Sequence, residues 1–521
     1  MLRWVPLGAG DDDARETLRD GSSLREVKRS VLYWPRRVFS LRKAILVSAG
    51  VLVTALVFYP GCFSGDAQFS WNEAVSSADL KFRDWHPPLI AFIWHVLNML
   101  PLQPVPRYAN LFLGMVCLFW IGVVLAAEPW KNSTMRWLIF CACVGMFPPV
   151  FAVLSQTIKD SLLCSALIAA YGGLVVAEQK RSWAAYGFGL FCLFLALGFR
   201  HNAIFAVVPL GVWAGFILCE QIVPRALRLR LLGAATKGLV GLAVTAGLGV
   251  GALALTEALT NNPSYTIQAI YTFDLLGMSV KTGKVYLPAL FDDYSKPQWW
   301  PVKGSEIAAS PLTLDNLTQL YSPITNLGIY WYGPGKGLRI TDDPAEVEAL
   351  KLAWLKAIRD NFLVYLRVRS EVFLTLLGIH ANPLGPYYCM WEQGQPAADI
   401  FYRPLPQFYL RLKDSIIFKG WFYLFSLLLF LLILMKYGGV LPRRLSFLAL
   451  SGISYGVSYF VIAPSADFRY LYWLMVVFIL IATSLGFSAF DRARSIWTEW
   501  HAGSNKLVAT DHGEAFCARE P

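Results

Sequence analysis

Runs of about twenty apolar residues recur along this chain, at about 42 to 59, 108 to 127, 137 to 153, 160 to 178, 183 to 199, 203 to 219, 238 to 256, 415 to 435, 445 to 462 and 471 to 489. An α-helix rises 1.5 Å per residue, so about twenty such residues cross a hydrocarbon core of roughly 30 Å. No water is available in that core to satisfy backbone groups, which leaves the helix as the form these runs can take. The expected fold is therefore an all-α polytopic membrane protein, a bundle of about ten transmembrane helices. With 56% hydrophobic and only 16% charged residues, the chain is too apolar for an ordinary water-soluble enzyme.

A formal charge of +11 in a soluble domain would raise the idea of nucleic acid. Here the Lys and Arg residues sit in short segments between apolar runs, so they report membrane orientation, and no nucleic-acid partner is expected. If the basic N-terminal segment, 1–41, is cytoplasmic, the loops holding Lys131 and Arg136, Lys180 and Arg181, Arg225 to Lys237, Lys436 to Arg444, and Arg492 with Arg494 all fall inside. The segment 490–521 is then a cytoplasmic tail. The first run follows a long polar stretch and has no small-residue cleavage site after it, so it reads as an uncleaved span rather than a signal peptide. The nine cysteines lie mostly inside apolar runs, with no CxxC and no metal-ligand spacing. Cys62 and Cys389 both fall on the outer side, where a bridge is open to them, but two free thiols are the expectation.

The organisation that follows is a transmembrane module over 42–256, which includes a first outer loop at 60–107, a large outer segment at 257–414, and C-terminal transmembrane helices at 415–489. In the first outer loop, Phe69 to Ala78 is amphipathic and Leu89 to Leu100 is apolar but too short to span, as in interfacial helices. The large segment is punctuated by Pro, Gly and aromatic residues at 296–301, 330–337 and 382–388, and reads as an ordered, loop-rich subdomain. Within it, Asp343 to Ile379 reads as helical. The part from Phe362 to Leu377 is apolar but carries Arg367, Arg369 and Glu371. Each such charge costs about 2.5–3.5 kcal/mol at the centre of a lipid-embedded helix, so an interfacial helix is expected there. The small residues of 238–256 are expected to serve helix packing.

The informative feature is a coincidence of side. Ser64-Gly65-Asp66, Asp84-Trp85-His86-Pro87-Pro88, Gln156 with Lys159-Asp160, Arg200-His201-Asn202 and Asp467-Phe468-Arg469-Tyr470 all land at outer span ends. Ionisable groups at membrane depth are costly and line a site or pair with one another. Asp66 in a partly dry cavity can act as general base on an acceptor hydroxyl, or Ser64 or Asp66 can simply cap a helix. Asp84 and His86 can bind a metal or orient a hydroxyl, or form a structural turn before Pro87 and Pro88. Lys159, Arg200 and Arg469 suit a phosphate, since a fixed cation stabilises the charge on a departing phosphate. Ion pairs such as Arg469 with Asp467, or Lys159 with Asp160, are the competing use.

The order of these elements resembles bacterial members of the GT-C glycosyltransferase superfamily, nearest to relatives of protein mannosyltransferases and of the aminoarabinose transferase of lipid A. The resemblance rests on Asp66 after the first span, Asp84-x-His86-Pro87-Pro88-Leu89, Lys159-Asp160, Arg200-x-Asn202 and Asp467-x-Arg469-Tyr470. It runs from about Tyr59 to Asn202 and resumes near Asp467, leaving the large outer segment unmatched. Many members have Asp-Glu where this chain has Asp66-Ala67. The resemblance implies a GT-C-like bundle with an outer catalytic cavity and a polyprenyl-phosphate sugar donor. It makes Asp66 the catalytic carboxylate and Asp160 the second acidic residue. Lys159, Arg200 and Arg469 become ligands of the donor phosphate, and Asp84, His86, Asn202, Asp467 and Tyr470 complete the substrate-binding set.

The expected activity is transfer of a sugar to a cell-envelope glycan or lipid acceptor at the periplasmic face of a bacterial inner membrane. No motif calls for a cofactor, and a divalent metal has only the pair Asp84 and His86 to hold it. The rival from another class is a polytopic lipid or solute transporter. Matched halves or broken helices with binding groups near the midplane would mark one.

Overall fold

The computed structural model describes residues 40–77, 79–222, 233–289, 312–326, 329, 338, 340–383, 385 and 404–514. The described residues are mostly helical, with almost no sheet. Among the described residues seven helices are long and apolar enough to cross a membrane, or eight if a bent pair counts as one span. They are α1 (Leu41–Phe58), α4 (Ala109–Ala126), α7 (Lys159–Lys180), α9 (Ile204–Ile217, with turns that extend it over His201–Glu220), α10 (Ala234–Leu259), α17 (Val440–Ile462) and α18 (Tyr472–Glu514). The bent pair is α5 (Thr134–Gly145) and α6 (Pro148–Leu154), which meet at 62° where Pro148 and Pro149 stop one helix and open the next. Two further expected spans are shorter apolar helices, α8 (Trp183–Phe199) and α16 (Gly420–Met435).

Between these run α2 (Gly65–Ser76), β1 (Phe82–Arg83), α3 (Pro88–Asn98), β2 (Thr260–Asn262), α11 (Gln268–Thr282), α12 (Leu314–Leu320), α13 (Pro344–Asp360), α14 (Phe362–Leu376) and α15 (Pro404–Leu412). The apolar piece after Pro88 is an eleven-residue helix, too short to span as expected.

At the centre lies α7, whose spanning window is wholly buried. It packs between α4 and α8. Contact with α4 is backbone-close: a Cβ at Gly122 would meet the Ala169 nitrogen at 2.5 Å, and one at Gly172 would meet the Gly122 carbonyl at 2.7 Å. Small residues let membrane helices approach in this way. The small-residue run of α10 does the same in its first half only. Gly241 fits against Gly211 and Val212 of α9, while Gly247 and Gly249 meet nothing within 4 Å.

Three expectations need correction. The helix expected over 343–379 is two helices, α13 and α14, broken at Asn361, whose backbone leaves the helical region at φ −142°, ψ 49°. Arg369 on α14 is tolerated because it is fully buried in protein against Asp274 of α11 rather than facing lipid. The last span and the tail from 490 are one 43-residue helix as far as Glu514. The large segment is also more helical than loop-rich where it is described. Its stretches at 296–301 and 330–337, and all of 386–403, lie outside the described residues, as does the basic stretch Arg225 to Arg230.

Basic residues of the expected cytoplasmic loops gather at one end of the bundle, and two of the described clusters close on buried or half-buried acids, while Arg136 pairs with the exposed Asp491. Lys43, Lys131 and Lys180 surround Glu128 at 2.6, 2.7 and 2.9 Å. Arg443 and Arg444 approach Glu178 at 3.6 and 3.8 Å, and Arg443 also meets Glu220, which Lys237 contacts at 2.8 Å. Helix α7 carries Lys180 at this end and Lys159 at the other, roughly 30 Å away at 1.5 Å per residue.

Candidate active site

Four local devices bring the polar clusters together at the far end. Ser64 caps α2, its Oγ accepting from the Ala67 amide at 3.4 Å, so the cap role falls to serine and leaves the Asp66 carboxylate to the cavity. Just before it, Cys62 lies as an isolated parallel bridge against Gln156: its amide donates to the Ser155 carbonyl at 2.9 Å, and the Thr157 amide to its own carbonyl at 3.2 Å. That seam fixes the start of α2 beside the start of α7, where Lys159 and Asp160 stand. Strands β1 and β2 pair in parallel, and the Ser264 amide donates to Asp84, so the Asp84-to-Pro88 turn is tied to the end of α10. Finally, Asp467 accepts from the Arg469 amide at 3.2 Å and caps the short 3₁₀ turn Phe468–Leu471 that leads into α18.

Cys62 is disulfide-bonded, which corrects the expectation of a free thiol there. Its partner lies outside the described residues. On alkylation of denatured protein from intact cells, the Cys62 peptide is expected to stay unmodified until a reductant is added. Full labelling without reductant would remove the bond.

The elements enclose a cavity of about 590 Å³, within the size range of small-molecule sites. Eight of the ten expected site residues line it: Asp66, Asp84, His86, Lys159, Arg200, Asn202, Arg469 and Tyr470. Asp66, its side chain 33% exposed, meets Arg469 Nη1 at 3.2 Å and faces His86 Nε2 at 3.9 Å. Lys159 Nζ lies 3.4 Å from His86 Nδ1. Burial works to raise the Asp66 carboxyl, but the surrounding positive charge, Arg469 foremost, outweighs it and holds the group well below the usual carboxylate range. His86 is pushed down to about 3 by burial, reinforced by Lys159, and is therefore neutral near pH 7. A neutral ring whose Nδ1 accepts from Lys159 carries its proton on Nε2, toward Asp66.

The remaining two expected residues sit behind the wall. Asp160, 2% exposed, pairs with Arg200 and comes within 3.9 Å of Arg469 Nε. Asp467, 3% exposed, holds Arg469 Nε at 2.7 Å. Asp160 thus orients cations from behind rather than standing beside Asp66 in the cavity, and the Lys159–Asp160 pair weighed above is not formed. Tyr470 completes the arrangement as an aromatic plate: Arg200 lies 4.8 Å and Arg469 5.8 Å from its ring centre, and it stacks on Tyr459 at 5.1 Å. Among the described residues, no carboxylate comes within 4 Å of the Lys159 ammonium, which lies against His86.

Part of the lining carried no sequence signal. Tyr265, Thr266, Ile267 and Asn326 come from the large segment, where polar residues do not stand out from their context, and Phe205, Tyr459 and Ile462 come from inside apolar runs. Tyr265 holds a left-handed backbone at φ +48°, uncommon for a residue with a side chain. Among the described residues, no three His, Cys, Asp or Glu side chains come together as a metal site. No family model, curated protein or solved structure matches the chain. The cavity's own chemistry therefore carries the functional argument.

Proposed function

We propose that this protein is a GT-C-type glycosyltransferase of a bacterial inner membrane. It moves a sugar from a polyprenyl-phosphate carrier to an envelope glycan or lipid at the periplasmic face. The observation that carries this reading is one ionised carboxylate, Asp66, exposed to a cavity that also presents Lys159, Arg200 and Arg469. A carboxylate that takes a proton, set among cations that can receive a phosphate, matches the two charge changes of glycosyl transfer. The acceptor O–H gives its proton to Asp66 while its oxygen bonds to the anomeric carbon. The bond from that carbon to the carrier phosphate breaks on the opposite side, giving inversion. The electron pair leaves with the phosphate, and the fixed cations stabilise the resulting charge.

The reading takes ten spans: the seven long helices, the bent pair α5–α6, and the two shorter apolar helices α8 and α16. It puts the basic clusters on Glu128 and Glu178 in the cytoplasm. A disulfide at Cys62, on the cavity side, fits an oxidising compartment there. Charges gathered at one end of the bundle, rather than at its middle, favour an enzyme over a transporter. The test is mass spectrometry of envelope glycans and lipids from cells with and without the gene. A sugar missing only in the deletion, and restored by the wild-type gene, is expected; identical profiles would sink the proposal.

A further inference from the structure

The ion pair Arg369–Asp274 lies outside the cavity and is fully buried on both sides. Arg369 divides its guanidinium between two elements. Nη2 donates to Asp274 Oδ2 on α11 at 2.6 Å, an oxygen that also accepts the Trp354 indole of α13 at 2.8 Å. Nη1 donates to the Ala463 carbonyl at 2.7 Å. Ala463 ends α17 and opens the short stretch that turns into Asp467 and Arg469. A second tie holds the same stretch, since the Ala466 amide donates to the Ile324 carbonyl at 3.1 Å. The large segment thus grips the loop of the site from two sides.

We propose that Arg369, locked by Asp274, is a positioning residue that sets Arg469 through the Ala463 to Asp467 loop. A buried ion pair gives little net stability over well-packed apolar side chains, so stability alone does not call for this one. A guanidinium adds what apolar groups lack: separate nitrogens that hold a carboxylate and a loop carbonyl at once. The loop needs such holding because Arg469 has to meet Asp66 at 3.2 Å and Asp467 at 2.7 Å together. Small displacements of a binding group sharply weaken what it does. The Ala463 carbonyl is also one of the terminal helix carbonyls left without an intrahelical partner. The inference rests on the proposed role of Arg469 toward a phosphate only for its functional consequence, not for the geometry.

The test uses the full chain in nanodiscs, with decaprenyl phosphate as probe and Arg469→Ala as reference. The double variant Arg369→Met with Asp274→Leu leaves no lone buried charge. Arg369→Lys keeps a charge beside Asp274 but has no second nitrogen for Ala463. Both are expected to melt near wild type, to raise hydrogen exchange across 463–470 by about tenfold, and to weaken probe binding by about tenfold. Unchanged exchange at 463–470 in both variants overturns positioning, whatever the probe does. Raised exchange with a wild type that ignores the probe, or an Arg469→Ala variant that binds it undiminished, upholds positioning and overturns the phosphate role of the site. A double variant that restores melting, exchange and binding together shows a purely structural pair, and the proposal falls.

Discussion

Asp66→Asn is expected to lower sugar transfer by about 10²–10⁴-fold, with the enzyme expressed and folded as wild type. The amide keeps the shape of the side chain and can still face Arg469, but it has no basic oxygen to receive the acceptor proton. Because the side chain is 33% exposed and its ion pair is partly in water, little stability goes with the charge. The donor would still meet Lys159, Arg200 and Arg469, and the amide competes less than the carboxylate for Arg469, so the loss belongs in kcat while the KM for donor stays the same or falls. Steady-state transfer by membranes matched for protein level decides it. Wild-type turnover in the Asn variant would take Asp66 out of the mechanism, and a loss confined to KM would recast it as a binding group.

Glu128→Leu is the variant expected to damage the fold most. Glu128 is 1% exposed and holds three lysines. Burial alone would raise its carboxyl, but the hydrogen bonds from Lys131, Lys43 and Lys180 hold it down to about 2. Lys131 and Lys180 have side chains 44% and 25% exposed and can turn to water when the acid is removed. Lys43 cannot, since its side chain is 4% exposed. Breaking a buried ion pair by removing one partner costs about 3–5 kcal/mol. The single variant should therefore give less folded protein and a clearly lower melting temperature. Adding Lys43→Met should recover most of the loss. Equal melting of Glu128→Leu and wild type in detergent would show that the cluster contributes nothing.

Much of this arrangement was legible in the residues themselves. Membrane-length apolar runs are a strong signal because backbone groups in lipid have to be satisfied within the helix, and the positions of those runs match the helices closely. The site was legible for a related reason: a polar cluster such as Lys159-Asp160 or Arg200-His201-Asn202 stands out against an apolar background. What escaped notice had no such contrast. Asn326 and Tyr265 sit in a segment already rich in polar and aromatic residues. Pairing partners were also hidden, because Asp160 turns to Arg200 across space rather than to its neighbour Lys159. The acids Glu128 and Glu178 carry no signal of their own, because each lies at the end of an apolar run beside basic residues that already mark membrane orientation. The break at Asn361 carries neither Pro nor Gly, only the weaker turn residues Asp360 and Asn361, which also occur inside helices.

If the proposed function holds, the contact between Asp66 and Arg469 also governs the site before the donor binds. Asp66, Asp84, Asp160 and Asp467 outnumber Lys159, Arg200 and Arg469 by four to three, so the site as a whole exerts little net pull on an anion. A phosphate that enters has to compete with Asp66 for the same guanidinium. When it wins, the carboxylate is released. Under the proposed mechanism Asp66 is sheathed by Arg469 until a donor phosphate arrives, an interlock that would tie readiness for chemistry to the substrate itself.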